Sequence, residues 1–261
     1  MKIPRVLVCG LLLATSGTTI SAQSATDCGT TEEVLQHYRN ALGGEAAIAQ
    51  VHSLLIRADS AEPHTFNKAS TAHSRYRFEW QAPNLIRVNR QYLLSPATII
   101  FDGSDWSLYN GRVSHNEDST PAWHRKLMSL PYNDYPEHQE FRMMAYPLLL
   151  AGVQQIYRKL ELSAGGPGEC VLQAWGTSEW GRERRDYLAF RADTGLLRSW
   201  QIQAGLPGRE TYMEFLFDDY RATGSITIPY SVYFDFYQVA FRITSVIVNS
   251  PLPDHDFVPK Q

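Results

Sequence analysis

The feature that most narrows what this chain can fold into is a two-residue alternation of apolar and polar side chains that recurs through most of its length. Residues 74–81 (SRYRFEWQ) put Tyr76, Phe78 and Trp80 on one face and Arg75, Arg77 and Glu79 on the other. Period two fits a pleated strand with one buried side, because successive side chains of a strand point to opposite faces. Ala82-Pro83-Asn84 then turns the chain into residues 85–90 (LIRVNR), a second strand. Residues 97–101 and 106–109 flank Asp102-Gly103-Ser104, a hairpin signal, and Arg112-Val113 extend the series at an edge. Further strands are expected over 155–162, 170–175, 185–191, 196–203 and 211–220, with two more between 228 and 248. Their connections are Gly165-Gly166-Pro167-Gly168, Asp193-Thr194-Gly195 and Gly205-Leu206-Pro207-Gly208, whose glycines and prolines suit tight turns. The expectation is a long antiparallel meander in one domain, since no composition break marks a linker.

Two segments read as helix instead. Thr30 followed three residues later by Glu33 fits a capping box, and Val34, Leu35, Tyr38, Ala41 and Leu42 recur at helical spacing. Gly43-Gly44 then supplies the left-handed conformation that ends a helix, residues 45–50 make a second short helix, and Val51 begins the first strand. Between 136 and 152, Phe141, Met144, Ala145, Leu148 and Leu149 share a helical face, with Pro147 opening a new turn.

Over 230–243 apolar residues fall on both faces of the expected strands. Val232, Phe234, Phe236 and Ala240 lie on one, with Tyr233, Tyr237, Val239, Phe241 and Ile243 on the other. An open antiparallel sheet with one wet face alternates cleanly. Either helices cover the second side, or it lines a ligand-sized cavity.

The N-terminus reads as an export signal. Lys2 and Arg5 precede nine apolar residues, 6–14 (VLVCGLLLA), and small residues follow, which places the signal peptide at residues 1–22, with cleavage as late as 25. The apolar run is too short to span a bilayer, and no other stretch approaches that length, so the mature chain, 23–261, is expected to be soluble or peripheral. Cys9 falls inside the signal. Cys28 and Cys170 remain, and an oxidising compartment favours one disulfide between them. Lys and Arg total 24 against 27 Asp and Glu; without Lys2 and Arg5 the balance is 22 against 27. With no basic run, and with Arg184-Arg185 set between Glu183 and Asp186, nucleic acid is not an expected partner.

Chemistry is sparse. Asp193-Thr194-Gly195 matches the aspartic-protease triplet, but that chemistry needs two carboxylates sharing a proton, and no second copy occurs. The surrounding YLAFRADTGLLRSW reads as strand, turn, strand. Asp254-His255-Asp256 is a compact set of ligand types at the C-terminus without a partner elsewhere, so no metal site and no cofactor are expected. There is no G-x-S-x-G, and Gly43-Gly44 follows a helix rather than a strand, which argues against a phosphate loop.

Several phrases, in one order over about residues 37–260, resemble exported proteins of the LolA-like, outer-membrane lipoprotein-sorting type. They are the A-L-G-G opening of YRNALGGEAAIAQVHSLLIRADS, then FDGSDWSLYNG, AYPLLLAG, FRADTGLLRSW, FDDYRATGSITIPYSV and the closing IVNSPLPDHDFVPK. The resemblance implies an α+β fold: a single strongly curved antiparallel sheet, an incomplete barrel, with helices packed across the open side over an apolar cavity. It also implies a periplasmic, non-enzymatic carrier for a lipid or acyl-chain ligand, with an envelope or outer-membrane protein as a further partner. Candidate cavity residues are Phe78, Trp80, Phe101, Trp106, Met144, Leu148, Phe215, Phe234 and Phe236. Two other classes stay open: an envelope interaction module with a filled core, and a hydrolase.

Overall fold

The computed structural model describes residues 28–64, 67–82, 85–91, 97–101, 106–110, 113–115, 150–177, 183–206, 209–235, 238–253 and 257. The expected signal segment, most of the helix expected over 136–152, and Asp254-His255-Asp256 lie outside these residues.

The N-terminal helix forms where its sequence signals put it. α1 (Thr31–Ala41) is capped by Thr30, whose Oγ1 accepts from Glu33 N at 3.2 Å while the Glu33 carboxylate accepts from Thr30 N at 2.6 Å. Its end is a Schellman motif: Gly44 N donates to Arg39 O and Gly43 N to Asn40 O. Gly43 has φ 118°, and a Cβ there would lie 2.4 Å from Ser225 O, so position 43 has no room for a side chain. α2 (Glu45–Ala49) follows. The Arg39 guanidinium, and secondarily the Gln154 amide, hold the Glu32 carboxyl below its usual range.

Among the described residues, thirteen strands form one antiparallel sheet. They are β1 (Ser53–His64), β2 (Asn67–Gln81), β3 (Leu85–Gln91), β4 (Ala97–Phe101), β5 (Trp106–Asn110), β6 (Val113–His115), β7 (Lys159–Ser163), β8 (Glu169–Thr177), β9 (Glu183–Arg191), β10 (Leu197–Leu206), β11 (Arg209–Thr223), β12 (Ile226–Phe234) and β13 (Val239–Val248). Their order, β6-β5-β4-β3-β2-β1-β13-β12-β11-β10-β9-β8-β7, makes two meanders joined where β1 pairs with β13. Among the described residues β6 and β7 are the two edges, and the sheet does not close on itself. Between the meanders, a 3₁₀ turn (Leu150–Gly152) runs into α3 (Val153–Ile156). The strand expected from residue 155 therefore starts later, at Lys159, because Tyr157 N still donates to Val153 O at 3.0 Å.

One face of the sheet, together with α1, forms the core. Trp200, Phe215 and Phe234 occupy directly opposite positions on β10, β11 and β12, with ring centroids 5.3 and 4.3 Å apart. Phe241 on β13 meets Tyr76 on β2 edge-on at 5.3 Å, and Tyr76 stacks on Phe78 at 5.5 Å. From the helix, Val34, Leu35, Tyr38 and Leu42 enter the same core, with Tyr38 5.2 Å from the Phe190 ring. No helix among the described residues is long and apolar enough to cross a membrane.

The expectation of apolar residues on both faces over 230–243 is corrected. The chain turns between β12 and β13, where Gln238 (φ 54°) donates from its backbone N to Asp235 O. That turn shifts the parity, so Val232 and Phe234 before it and Val239, Phe241 and Ile243 after it are buried on one face. Ala240 is exposed on the other face. Phe236 and Tyr237 lie outside the described residues.

Two sequence phrases are structural joints. In FDDYR, Asp219 adopts a left-handed φ of 53° inside β11, and Arg221 closes on its carboxylate with two hydrogen bonds of 2.9 and 2.6 Å. The irregularity lets the Tyr220 hydroxyl donate to Leu197 O at 2.8 Å, and burial pushes the Tyr220 phenol well above its usual range. In IVNSP, Asn249 (φ 55°) sits at the end of β13. Its Oδ1 accepts from His52 N at 2.7 Å, its Nδ2 donates to Gln50 O at 3.0 Å, and its own N donates to Ser53 O. Ser53 Oγ completes the latch by donating to Ser250 O at 2.6 Å.

Asn249→Ala removes the two side-chain hydrogen bonds to His52 N and Gln50 O and places a less tolerant residue at positive φ. The expected cost is about 2–3 kcal/mol, read as a lower urea midpoint with an unchanged slope. Asn249→Gly keeps the backbone conformation and isolates the hydrogen-bond part of that loss.

Candidate functional site

The sheet presents two chemically different faces, and the sequence candidates whose side chains are described lie on the core face. Phe78 is buried and lies opposite Ile56 and Val88, while Trp80 is half-buried opposite Leu54 and Ile86. Phe215 and Phe234 are fully buried in the aromatic row of β10–β12. Phe101 and Trp106 are direct partners across the β4–β5 ladder. Met144, Leu148 and Phe236 lie outside the described residues. Four of the nine candidates thus point into one continuous apolar surface, which Tyr76 and Phe241 bridge across β2 and β13.

That surface ends in a buried polar cluster. Asp186 is completely buried; its Oδ2 accepts from Tyr157 Oη at 2.7 Å and from Arg184 at 2.8 Å, and its Oδ1 accepts from Gln203 N at 3.1 Å. Trp200 Nε1 donates to Tyr157 Oη at 3.2 Å. The four charges of residues 183–186 are sorted by the pleat, with Arg184 and Asp186 inside and Glu183 and Arg185 outside. Through the Tyr157 hydroxyl, the cluster anchors the C-terminal end of α3 to the sheet.

Asp193-Thr194-Gly195 is a turn between β9 and β10, in which Gly195 N donates to Arg191 O at 2.7 Å. Gly195 has φ 73°, and a Cβ there would lie 2.8 Å from the ring and backbone oxygen of His37. The triplet lets α1 approach the sheet, and Asp193 is exposed at its tip. Beside it, a cleft of about 310 Å³ lies between α1 and the β8–β10 end, lined by Glu33, His37, Phe190 and the Cys28–Cys170 disulfide among others. The disulfide, with Cα atoms 5.6 Å apart, closes a separation of 142 residues and ties the start of α1 to the start of β8.

The face opposite the core carries a feature that sequence reading missed. The registers of β13, β1, β2, β3 and β4 line up three rows across the sheet. The first is Arg242, Asp59, Arg75 and Gln91; the second is Ser245, Arg57, Arg77, Asn89 and Thr98; the third is Ile247, Leu55, Glu79, Arg87 and Ile100. Glu79 is buried and receives Arg77 at 2.5 Å, with Arg87 at 3.7 Å. Residues of the first two rows, with Arg87 and Thr244 and with Ala58, Tyr76 and Arg90 from the alternate positions, line a half-open cavity of about 860 Å³. Its signal was present in R-Y-R and R-V-N-R, the polar halves of two alternating strands, but only the register sets them side by side. Among the described residues, no group of three or more His, Cys, Asp or Glu is placed to hold a metal.

No family model matches the sequence, and no curated protein does. Solved structures do match in fold. A LolA superfamily protein from Nitrosomonas europaea superposes with a TM-score of 0.57 at 10% identity, over 88% of this chain and 98% of that one. A domain from Vibrio parahaemolyticus, provisionally assigned as an outer membrane lipoprotein-sorting protein, does so with a TM-score of 0.50 at 10% identity, over 87% and 96%. The fold is LolA-like.

Free-thiol titration of the denatured, unreduced mature protein is expected to find no reactive thiol. The Cys28→Ser/Cys170→Ser variant is expected to lose about 2–5 kcal/mol, read as a lower urea midpoint. Reductant should lower the midpoint of the parent protein and leave that of the variant where it is.

Proposed function

We propose that this protein is an exported, periplasmic binding or carrier protein for a hydrophobic or lipid ligand. In this reading the LolA-like sheet curves into an incomplete barrel, helices pack across its open side, and the ligand lies between them. The observation that supports it most directly is the continuous apolar face of an open thirteen-stranded sheet. Acyl chains gain about 0.8 kcal/mol per CH₂ on leaving water, so a shaped apolar surface can compete with a membrane while release stays reversible. Nothing in the reading calls for a catalytic step or a cofactor. An envelope or outer-membrane protein would receive the ligand.

The place for the ligand follows from packing. On β10–β12 the stacked rings of Trp200, Phe215 and Phe234 fill their own half of the core. Room is therefore proposed over β1–β5, against Phe78, Trp80, Phe101 and Trp106, with Met144 and Leu148 kept as candidates from sequence. The filled half also favours a second reading, an envelope interaction module that docks a partner and holds no ligand.

Mass spectrometry of organic extracts from protein purified out of its native envelope separates the two. The carrier reading expects stoichiometric lipid in the parent protein and at least severalfold less in a Trp80→Ala/Leu148→Ala variant. No lipid, or equal lipid in both, would overturn it and leave the docking module. The same preparation should show an intact mass beginning at residue 23 or 26.

A further inference from the structure

Directly opposite positions on neighbouring strands bring side chains within touching distance, and like charges there are destabilising unless something lies between them. Arg57 on β1 and Arg77 on β2 are such a pair on the face away from the core, and Arg75 is one outward position along from Arg77. The buried Glu79 carboxylate takes the Arg77 Nε and Nη2 hydrogen bonds at 2.9 and 2.5 Å, which fixes that guanidinium against the sheet. The Thr244 hydroxyl donates to the Arg57 carbonyl at 3.2 Å, but among the described residues no ion pair or hydrogen bond engages the guanidinium of Arg57 or Arg75, and both side chains are exposed to the cavity of about 860 Å³. Neutral polar groups complete the wall: Asn89, whose Oδ1 accepts from Thr98 Oγ1 at 2.9 Å, keeps its amide N–H groups as donors.

We propose that Arg57, Arg75 and Arg77 form a binding site for a phosphate-type anion, on the face of the sheet opposite the lipid-binding surface. Three guanidinium groups present planar forks of donors, which match the oxygens of a tetrahedral oxyanion better than point charges would. An anion between Arg57 and Arg77 replaces their mutual repulsion with two attractions. The cavity volume suits a small phosphorylated molecule or a single headgroup, since ligand pockets run from roughly 300 to 1,000 Å³. Asp59, directly opposite both Arg75 and Arg242, bounds the site on one side, while Leu55 and Ile100 on the same face give it an apolar floor beyond Glu79. The site is independent of the carrier reading, because Arg57, Arg75 and Arg77 lie on the face away from the core.

Two probes distinguish the source of the phosphate: inorganic pyrophosphate by titration calorimetry, and flotation with phosphatidylcholine vesicles with and without phosphatidylglycerol. Mature protein, Arg57→Ala/Arg75→Ala, and a control, Arg158→Ala, on the exposed Arg158–Glu183 pair of the distant sheet end, are compared in low salt. The parent and the control are expected to bind at least one probe, with binding weakened at least about tenfold in Arg57→Ala/Arg75→Ala. Arg57→Lys/Arg75→Lys, which keeps the charge and loses the fork, is expected between them. Pyrophosphate binding without vesicle binding assigns a soluble phosphorylated ligand; binding only to vesicles that contain phosphatidylglycerol assigns a headgroup. Binding of neither probe, or a loss no greater in Arg57→Ala/Arg75→Ala than in Arg158→Ala, would overturn the site. Circular dichroism checks folding, and the single Arg57→Gln and Arg75→Gln variants replace the double variant should it unfold. Lipid content is expected to be the same in Arg57→Ala/Arg75→Ala as in the parent, so a parent protein that carries lipid but binds neither probe overturns this site alone, and one that binds a probe but carries no lipid overturns the carrier reading alone.

Discussion

The pairing of β1 with β13 is the interaction on which the rest of the structure depends. Each meander is built from neighbours in sequence, and only this ladder makes them one sheet. Eight paired positions carry it, from Leu54–Val248 to Ala61–Ala240, with an irregularity between Arg57 and Ala58. The Asn249 latch sets its register, because the side chain bridges groups 197 and 199 residues away. A slip of one residue would turn Leu54, Ile56 and Ala58 out of the core and bring Leu55, Arg57 and Asp59 in. The continuous apolar face and the row of arginines both exist because the register holds.

One sheet therefore serves two chemistries through the pleat alone. On the core side, aromatic rings run from Trp200 to Phe78. On the other, arginine, amide and hydroxyl side chains from five strands surround the cavity proposed to hold an anion. Glu79 connects the two designs. Its burial is offset by Arg77 and Arg87, and its presence orients Arg77 for whatever lies above. No loop insertion is needed to build such a surface, only a consistent choice at alternate positions.

Local signals were legible in the sequence, and relations between distant segments were not. The Thr30 cap, the glycine stop at 43 and 44, the strand of Tyr76, Phe78 and Trp80 and the turn at Asp193 each rest on a few adjacent residues, and each stands where its residues put it. The Cys28–Cys170 bond was legible because compartment and cysteine count left one pairing. The parity of 230–243 was misjudged because its turn carries no glycine or proline among residues 235–238, so nothing signalled the change of face. The arginine cavity was invisible for a different reason. Arg57, Arg75 and Arg77 sit on two strands, and only the cross-strand register makes them neighbours. Sequence resemblance marked FDDYR and IVNSP without explaining them, and their physics is a left-handed residue in each, one relieving a strand and one latching its end.

The order in which the chain emerges gives the β1–β13 ladder a temporal meaning. β1 is twelve residues long and acquires β2 at once, but its other edge waits until β13, almost the last segment, is available. During that interval a long strand edge lies open to pairing with another molecule, the situation that seeds aggregation. Arg57 and Asp59, together with the irregularity beside them, place charge and a break in regularity on that waiting edge. Arg57, proposed to hold an anion in the finished protein, thus also guards the unfinished one, and a substitution that neutralises it and Asp59 together would lower the yield of folded protein.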